Sequence, residues 1–102
     1  MSLSIGTSIE WTGAVVVTVR GSLEHGGAVR VSEAVSAAVD QHRPDVIHVD
    51  LGLVTYVDPV GAAALVATGR SAGNGGTRVV LRNPTAEVAR SLRSTGLTDA
   101  FG

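Results

Sequence analysis

Apolar and polar residues alternate with a period of two in several short runs and recur every three to four positions between them, and these two periods assign the elements. Residues 4–11 and 14–20 are β-rich and separated only by Thr12-Gly13, a pair short enough to close a two-residue hairpin, so two antiparallel strands are expected first. In the second run Val15, Val17 and Val19 share one face, and Val16, Thr18 and Arg20 the other. Residues 21–27 break the pattern. Ala28, Val31, Ala34, Val35, Ala38 and Val39 then recur at helical steps, with Arg30, Glu33 and Asp40 outside the stripe, which predicts an amphipathic helix. Arg43-Pro44-Asp45 ends it, because proline disfavours the helical conformation in the residue before it and has no amide proton to donate.

Alternation returns at residues 46–51, where Ile47, Val49 and Leu51 oppose Val46, His48 and Asp50 in a third strand. After Thr55-Tyr56-Val57 comes Asp58-Pro59, in which the aspartate can cap a helix and the proline can fill its first position without sacrificing a needed donor. The helix is expected to run through Gly61, Ala62, Ala63, Ala64, Leu65, Val66 and Ala67 and to stop near Gly73-Asn74-Gly75-Gly76. Residues 78–82 form a short fourth strand, with Val79 and Leu81 opposite Arg78, Val80 and Arg82. Asn83-Pro84 repeats the cap-plus-proline device and opens a last helix carrying Val88, Ala89 and Leu92. Gly96 at C′ would set Leu97 against Leu92, the apolar contact of a Schellman stop.

The order is ββαβαβα. Crossovers that contain helices make strands two, three and four parallel, and right-handed crossovers progressing in one direction put the helices on one face. The expected fold is therefore α/β: a single domain over residues 1–102 with a mixed, mostly parallel four-stranded sheet and helices packed mainly on one face.

Composition narrows the function. A chain of 102 residues, 44% hydrophobic and 17% charged, can bury one core and lies far from the disordered corner of composition. Its net charge is −1 and its eight basic residues, all arginine, form no run, so no electrostatic footprint for nucleic acid exists. The absence of cysteine removes disulfides, thiolate nucleophiles and Cys-based zinc sites, and fits a reducing compartment. The longest apolar stretch, residues 60–67, is far short of the roughly 20 residues that span a bilayer. No charged-then-apolar segment opens the chain, so no membrane insertion and a cytoplasmic location are expected.

The informative stretch is residues 46–61, VIHVDLGLVTYVDPVG. It resembles the signature of the STAS family (sulfate transporter and anti-sigma factor antagonist), in which an apolar strand ends in Asp-Leu and a short step leads to an Asp-Ser-Ser-Gly helix start. Asp50-Leu51 and Asp58 to Gly61 occupy those places. Gly21-Ser22-Leu23-Glu24 is similar to the family's Gly-Glu-Leu-Asp, and the stretch from Gly75-Gly76 through Asn83-Pro84 to Gly96-Leu97 is similar to its tail. The resemblance implies a STAS domain of the anti-sigma factor antagonist type, a protein-binding module whose partner is a histidine-kinase-like anti-sigma factor. In phosphorylatable members the second serine of the motif accepts a phosphate from that partner, which breaks the complex. Here the first serine is Pro59 and the second is Val60, so the usual phosphoserine position carries no hydroxyl.

A dianion there would be favoured by the helix N-terminus and repelled by Asp58, so it would act on a docked partner rather than by melting the helix. With Val60 the surface stays neutral, and the expectation is constitutive binding or control at another site or by expression. Thr55 and Ser71 are alternative acceptors, set against the plainer reading of a strand-end and a helix-surface hydroxyl. The expected contact surface comprises Thr55, Tyr56, Asp58, Pro59, Val60, Gly61, Ala63 and Ala64. The small residues allow close approach of a partner backbone, or of the chain's own sheet. Tyr56 is either an aromatic anchor or a core residue.

Other chemistry lacks its parts. Asp58 is explained by capping rather than by acid–base work, and His48 and Asp50, two apart on one strand face, by solvation or local hydrogen bonding. His25 and His42 have no partner at a metal-ligand spacing, so no metal and no cofactor are expected. Gly73-Asn74-Gly75-Gly76 precedes a strand instead of opening a helix, the wrong context for a phosphate loop. No serine sits beside a recognisable base, so no enzyme activity is expected. Two other readings stay open from the same resemblance: a small subunit of a lipid-transporting ABC system that binds its ATPase, and a ligand sensor. A homodimer also stays open.

Overall fold

The computed structural model describes residues 3–24 and 26–94. Its elements are β1 (Ser4–Ile9), β2 (Val15–Leu23), α1 (Gly27–His42), β3 (Val46–Val57), α2 (Pro59–Asn74), β4 (Arg78–Arg82) and α3 (Ala86–Ser94). They form a four-stranded sheet in the order β1-β2-β3-β4, with β1 antiparallel to β2 and the other pairs parallel. This is the α/β architecture expected from the two periodicities.

The core lies on one face of the sheet. Val15, Val17 and Val19 of β2, Ile47, Val49 and Leu51 of β3, and Val79 of β4 are buried in one cluster with Val31, Val35 and Ala38 of α1, Ala62 and Leu65 of α2, and Val88 and Leu92 of α3. On the opposite face Thr18, Arg20, His48, Asp50 and Arg82 stay partly or fully exposed, while Val16 is buried. Arg82 reaches Glu10 there at 3.6 Å, in a pair exposed enough to contribute little to stability.

Four local expectations change. The first hairpin has a three-residue loop: the Gly13 amide donates to the Glu10 carbonyl (2.9 Å) and the Glu10 amide to the Ala14 carbonyl (2.8 Å). A two-residue loop of type I′ needs positive φ at both central residues, which β-branched Thr12 resists, whereas here only Gly13 takes it, at 89°. Strand β2 continues to Leu23 and β3 to Val57, beyond the expected ends at Arg20 and Leu51. Their pairing steps from Thr18↔Asp50 to Arg20↔Leu53, and from Gly21↔Val54 to Ser22↔Tyr56. Each step gives β3 one more residue than β2, so two bulges hide the continuation by destroying the alternation that marks a strand.

The fourth change concerns α3. Asn83 turns left-handed (φ 56°) instead of capping, because Pro84 bars the helical region to it and asparagine tolerates the left-handed one. The chain enters the helix two residues later, with the Thr85 hydroxyl accepting from the Val88 amide at 3.2 Å. Helix α1 stops where Pro44 requires it, with Arg43 left-handed at φ 44°. The expected Gly96-Leu97 stop and His25 lie outside the described residues.

Candidate partner-binding surface at the start of α2

Strands β2 and β3 run parallel and both deliver their C-terminal ends to a helix start, so the entrances to α1 and α2 share one end of the sheet. The ends are tied together. The Leu23 carbonyl, last in β2, accepts from the Asp58 amide just past β3 at 3.2 Å. Asp58 is extended, its Oδ1 accepts from the Gly61 amide at 2.6 Å, and Pro59 follows at the first helical position. The carboxylate is thus a helix cap, satisfying one of the donors that a helix start leaves free.

Gly61 is buried, and a Cβ placed on it would stand 2.7 Å from the Leu23 carbonyl oxygen. Its bare backbone lets α2 seat on the end of β2 and contributes no side chain to a partner. Ala62 beside it is fully buried as well. The small residues thus divide by role: Gly61 and Ala62 serve the chain's own packing, Ala63 is exposed and Ala64 is half-buried.

Of the remaining expected contacts, Thr55, Pro59 and Val60 are exposed and Asp58 is half-buried. Val60 is 68% exposed. Tyr56 is 48% exposed and pairs with Ser22, while the next pair, Leu23 with Val57, is buried, so the tyrosine points to the open face of the sheet and is not a core residue. Thr55 is the extra residue of the second bulge. The structure therefore brings Pro59, Val60 and Ala63 together on the first turns of α2 and places Tyr56 on the other side of the strand-to-helix corner.

Leu53 and Val29 are further exposed apolar residues near this corner, in addition to Ile9 and Trp11 at the first hairpin. Leu53, 49% exposed, pairs with Arg20 and thus lies on the same open face as Tyr56. The β-branched and aromatic run Val54 to Val57 after Gly52 was the available signal that the strand continues. Val29, 60% exposed at the start of α1, lines a shallow groove of about 380 Å³ with Ala28, Ala64 and Ala67. Its position beside the apolar stripe of α1 was the only sign.

His48 and Asp50 do not pair: Asp50 Oδ1 accepts from the Gly52 amide at 2.9 Å, supporting the first bulge, and the buried His48 Nδ1 has no hydrogen-bond partner among the described residues. Among the described residues no group of three or more His, Cys, Asp or Glu side chains is placed to hold a metal ion. No helix among them is long and apolar enough to cross a membrane.

Comparison with known proteins agrees with this geometry. The family model described as Mlab, STAS domain matches residues 7–101. An anti-sigma factor antagonist from Mycobacterium paratuberculosis is 28% identical, with a TM-score of 0.80 over 98% of this chain and 83% of its own. The anti-sigma factor antagonist SpoIIAA in its unphosphorylated form is 20% identical, with a TM-score of 0.76 over 92% and 82%. A serine-to-glutamate variant of RsbS from Moorella thermoacetica is 19% identical, with a TM-score of 0.76 over 93% and 80%. A search of curated protein sequences finds no match. The match of one family model to nearly the whole chain, on a sheet and helix order shared with these structures, shows that the chain belongs to the STAS domain family.

Proposed function

We propose that the chain is an anti-sigma factor antagonist, a binding protein of the cytoplasm that docks on a histidine-kinase-like anti-sigma factor and frees the sigma factor held by it. The observation that carries this reading is the exposed, uncharged first turn of α2, with Pro59, Val60 and Ala63 presented by a capped helix at the C-terminal end of a central parallel strand. Likeness to a 28% identical antagonist over almost the full chain supports the same role. Small and apolar side chains on a rigid helix start suit close docking, since little conformational entropy is lost when they are covered. Nothing in that turn requires catalysis.

Control differs from the phosphorylation cycle of the family. Val60 offers no oxygen to a kinase, so the surface keeps one charge state, and binding is either constitutive or controlled at a second site or by the amount of protein.

Affinity capture from native lysate with the tagged chain tests the role. The expected prey is an ATPase-like anti-sigma factor, and adding the untagged chain to a preformed complex of that factor with its sigma factor releases the sigma factor. Recovery of an ABC-type ATPase instead would favour the transport-subunit reading and contradict this one.

A further inference from the structure

The sheet has two edges, and only one is guarded. Strand β4 is five residues long and carries Arg78 and Arg82 at its ends, the short and charged design that discourages strand pairing. Strand β1, SIGTSI, has no charge and no proline, and it pairs with β2 without a bulge over its whole length. Among the described residues no strand lies on its other side.

The hydrogen-bonding direction of that free edge follows from the hairpin. The Glu10 amide donates to the Ala14 carbonyl, so Glu10 faces β2. Because the direction alternates along an antiparallel strand, Ser4, Gly6 and Ser8 face β2 as well, and the amides and carbonyls of Ile5, Thr7 and Ile9 point outward. The Leu3 carbonyl, next in that outward series, is taken by Arg30 Nη1 at 2.8 Å, which closes the edge at one end.

We propose that the free edge of β1 pairs antiparallel with the same edge of a second copy of this chain, joining two four-stranded sheets into one continuous sheet. A two-fold axis through Thr7 sets Thr7 against its own copy and Ile5 against Ile9 of the second copy, with both N–H···O bonds exchanged in every such pair. Ile5, Thr7 and Ile9 share the face of Val19, Val17 and Val15, their partners in β2, so the new apolar contacts extend the core face. Ile9 is 55% exposed in the single chain, and Ile5 of the second copy would cover it. Within β1 the residues that meet are uncharged, and Glu10, just past the strand, would meet Ser4 of the second copy, so no like charges oppose the pairing. Since β1 and the start of α2 are separated by β2 and β3, the pairing leaves the surface at α2 free in each copy.

One pair of short edges is an interface below standard size, so the association is weak and is read at high concentration. Sedimentation of the full chain at about 100 µM is expected to show monomer–dimer exchange. Thr7→Pro is expected to be monomeric with an unchanged circular dichroism spectrum, because it removes an outward amide that β2 does not use. The chain has no cysteine. In Thr7→Cys the two Cα atoms would stand about 5.5 Å apart, within disulfide range, so mild oxidation is expected to link the dimer at least about tenfold faster than in Val29→Cys on exposed α1. Equal linkage rates in the two cysteine variants would overturn the proposal, as would a wild type that sediments only as monomer or a Thr7→Pro variant that still dimerises.

Discussion

At the start of α2 each residue has a separable duty, and single substitutions distinguish them. Asp58→Ala removes the cap on the Gly61 amide and is expected to lower stability by about 1 kcal/mol in chemical denaturation. Gly61→Ala drives a Cβ against the Leu23 carbonyl and is expected to cost more, about 1–3 kcal/mol, because backbone rather than a flexible side chain must yield; unchanged stability would mean that α2 does not seat on β2 as described. Val60→Ser sits on an exposed position and is expected to leave stability nearly unchanged while restoring a hydroxyl. Incubated with the proposed kinase-like partner and labelled ATP, the serine variant is expected to take up phosphate and the wild type none; label on the wild type alone would contradict the proposal. The aspartate cap was legible because aspartate before proline has one dominant local use. Asn83 misled because the same dipeptide sign holds only if the asparagine stays extended, and a left-handed Asn83 handed the cap to Thr85.

At the scale of elements, helices were easier to read than strand ends. The stripe of α1 continues until Pro44 stops it, and its buried members Ala28, Val31, Val35 and Ala38 all belong to the expected set. Strand β3 is legible only to Leu51, since alternation is the main sequence mark of a half-buried strand and two bulges change it to burial at every third residue, Val54 and Val57. Those bulges bend the part of β3 that leads into α2, so the least legible segment of the fold is the one that aims the candidate surface. Tyr56, with a core and a surface reading equally open in the sequence, is placed on the open face by this bulged register alone. The helix depends on its packing as well as its cap: Leu65, 3% exposed against the sheet, is expected to cost about 2–5 kcal/mol when changed to alanine, by lost burial and the cavity left behind. A loss below that range in thermal or urea unfolding would show α2 to be loosely held, and a loosely held helix would make a poor docking platform.

Across the whole molecule, one face of the sheet is covered by helices and the other left open, and both central strands end at the same side as two helix entrances. This topology gathers residues far apart in sequence, Leu23 and Asp58 to Gly61, into one corner, with hydrogen bonding inside it and apolar side chains outside. Sequence periodicity supplied the layers and the parallel order, while the division of the small residues between inside and outside needed the third dimension. The proposed docking depends on the outward half of that division. Titration of the isolated anti-sigma factor with wild type and with Ala63→Glu measures it directly, the glutamate adding bulk and charge at an exposed point of the proposed contact. The expected result is a loss of affinity of at least about tenfold with an unchanged melting temperature. Equal affinity of the two proteins would place the contact elsewhere and contradict the account.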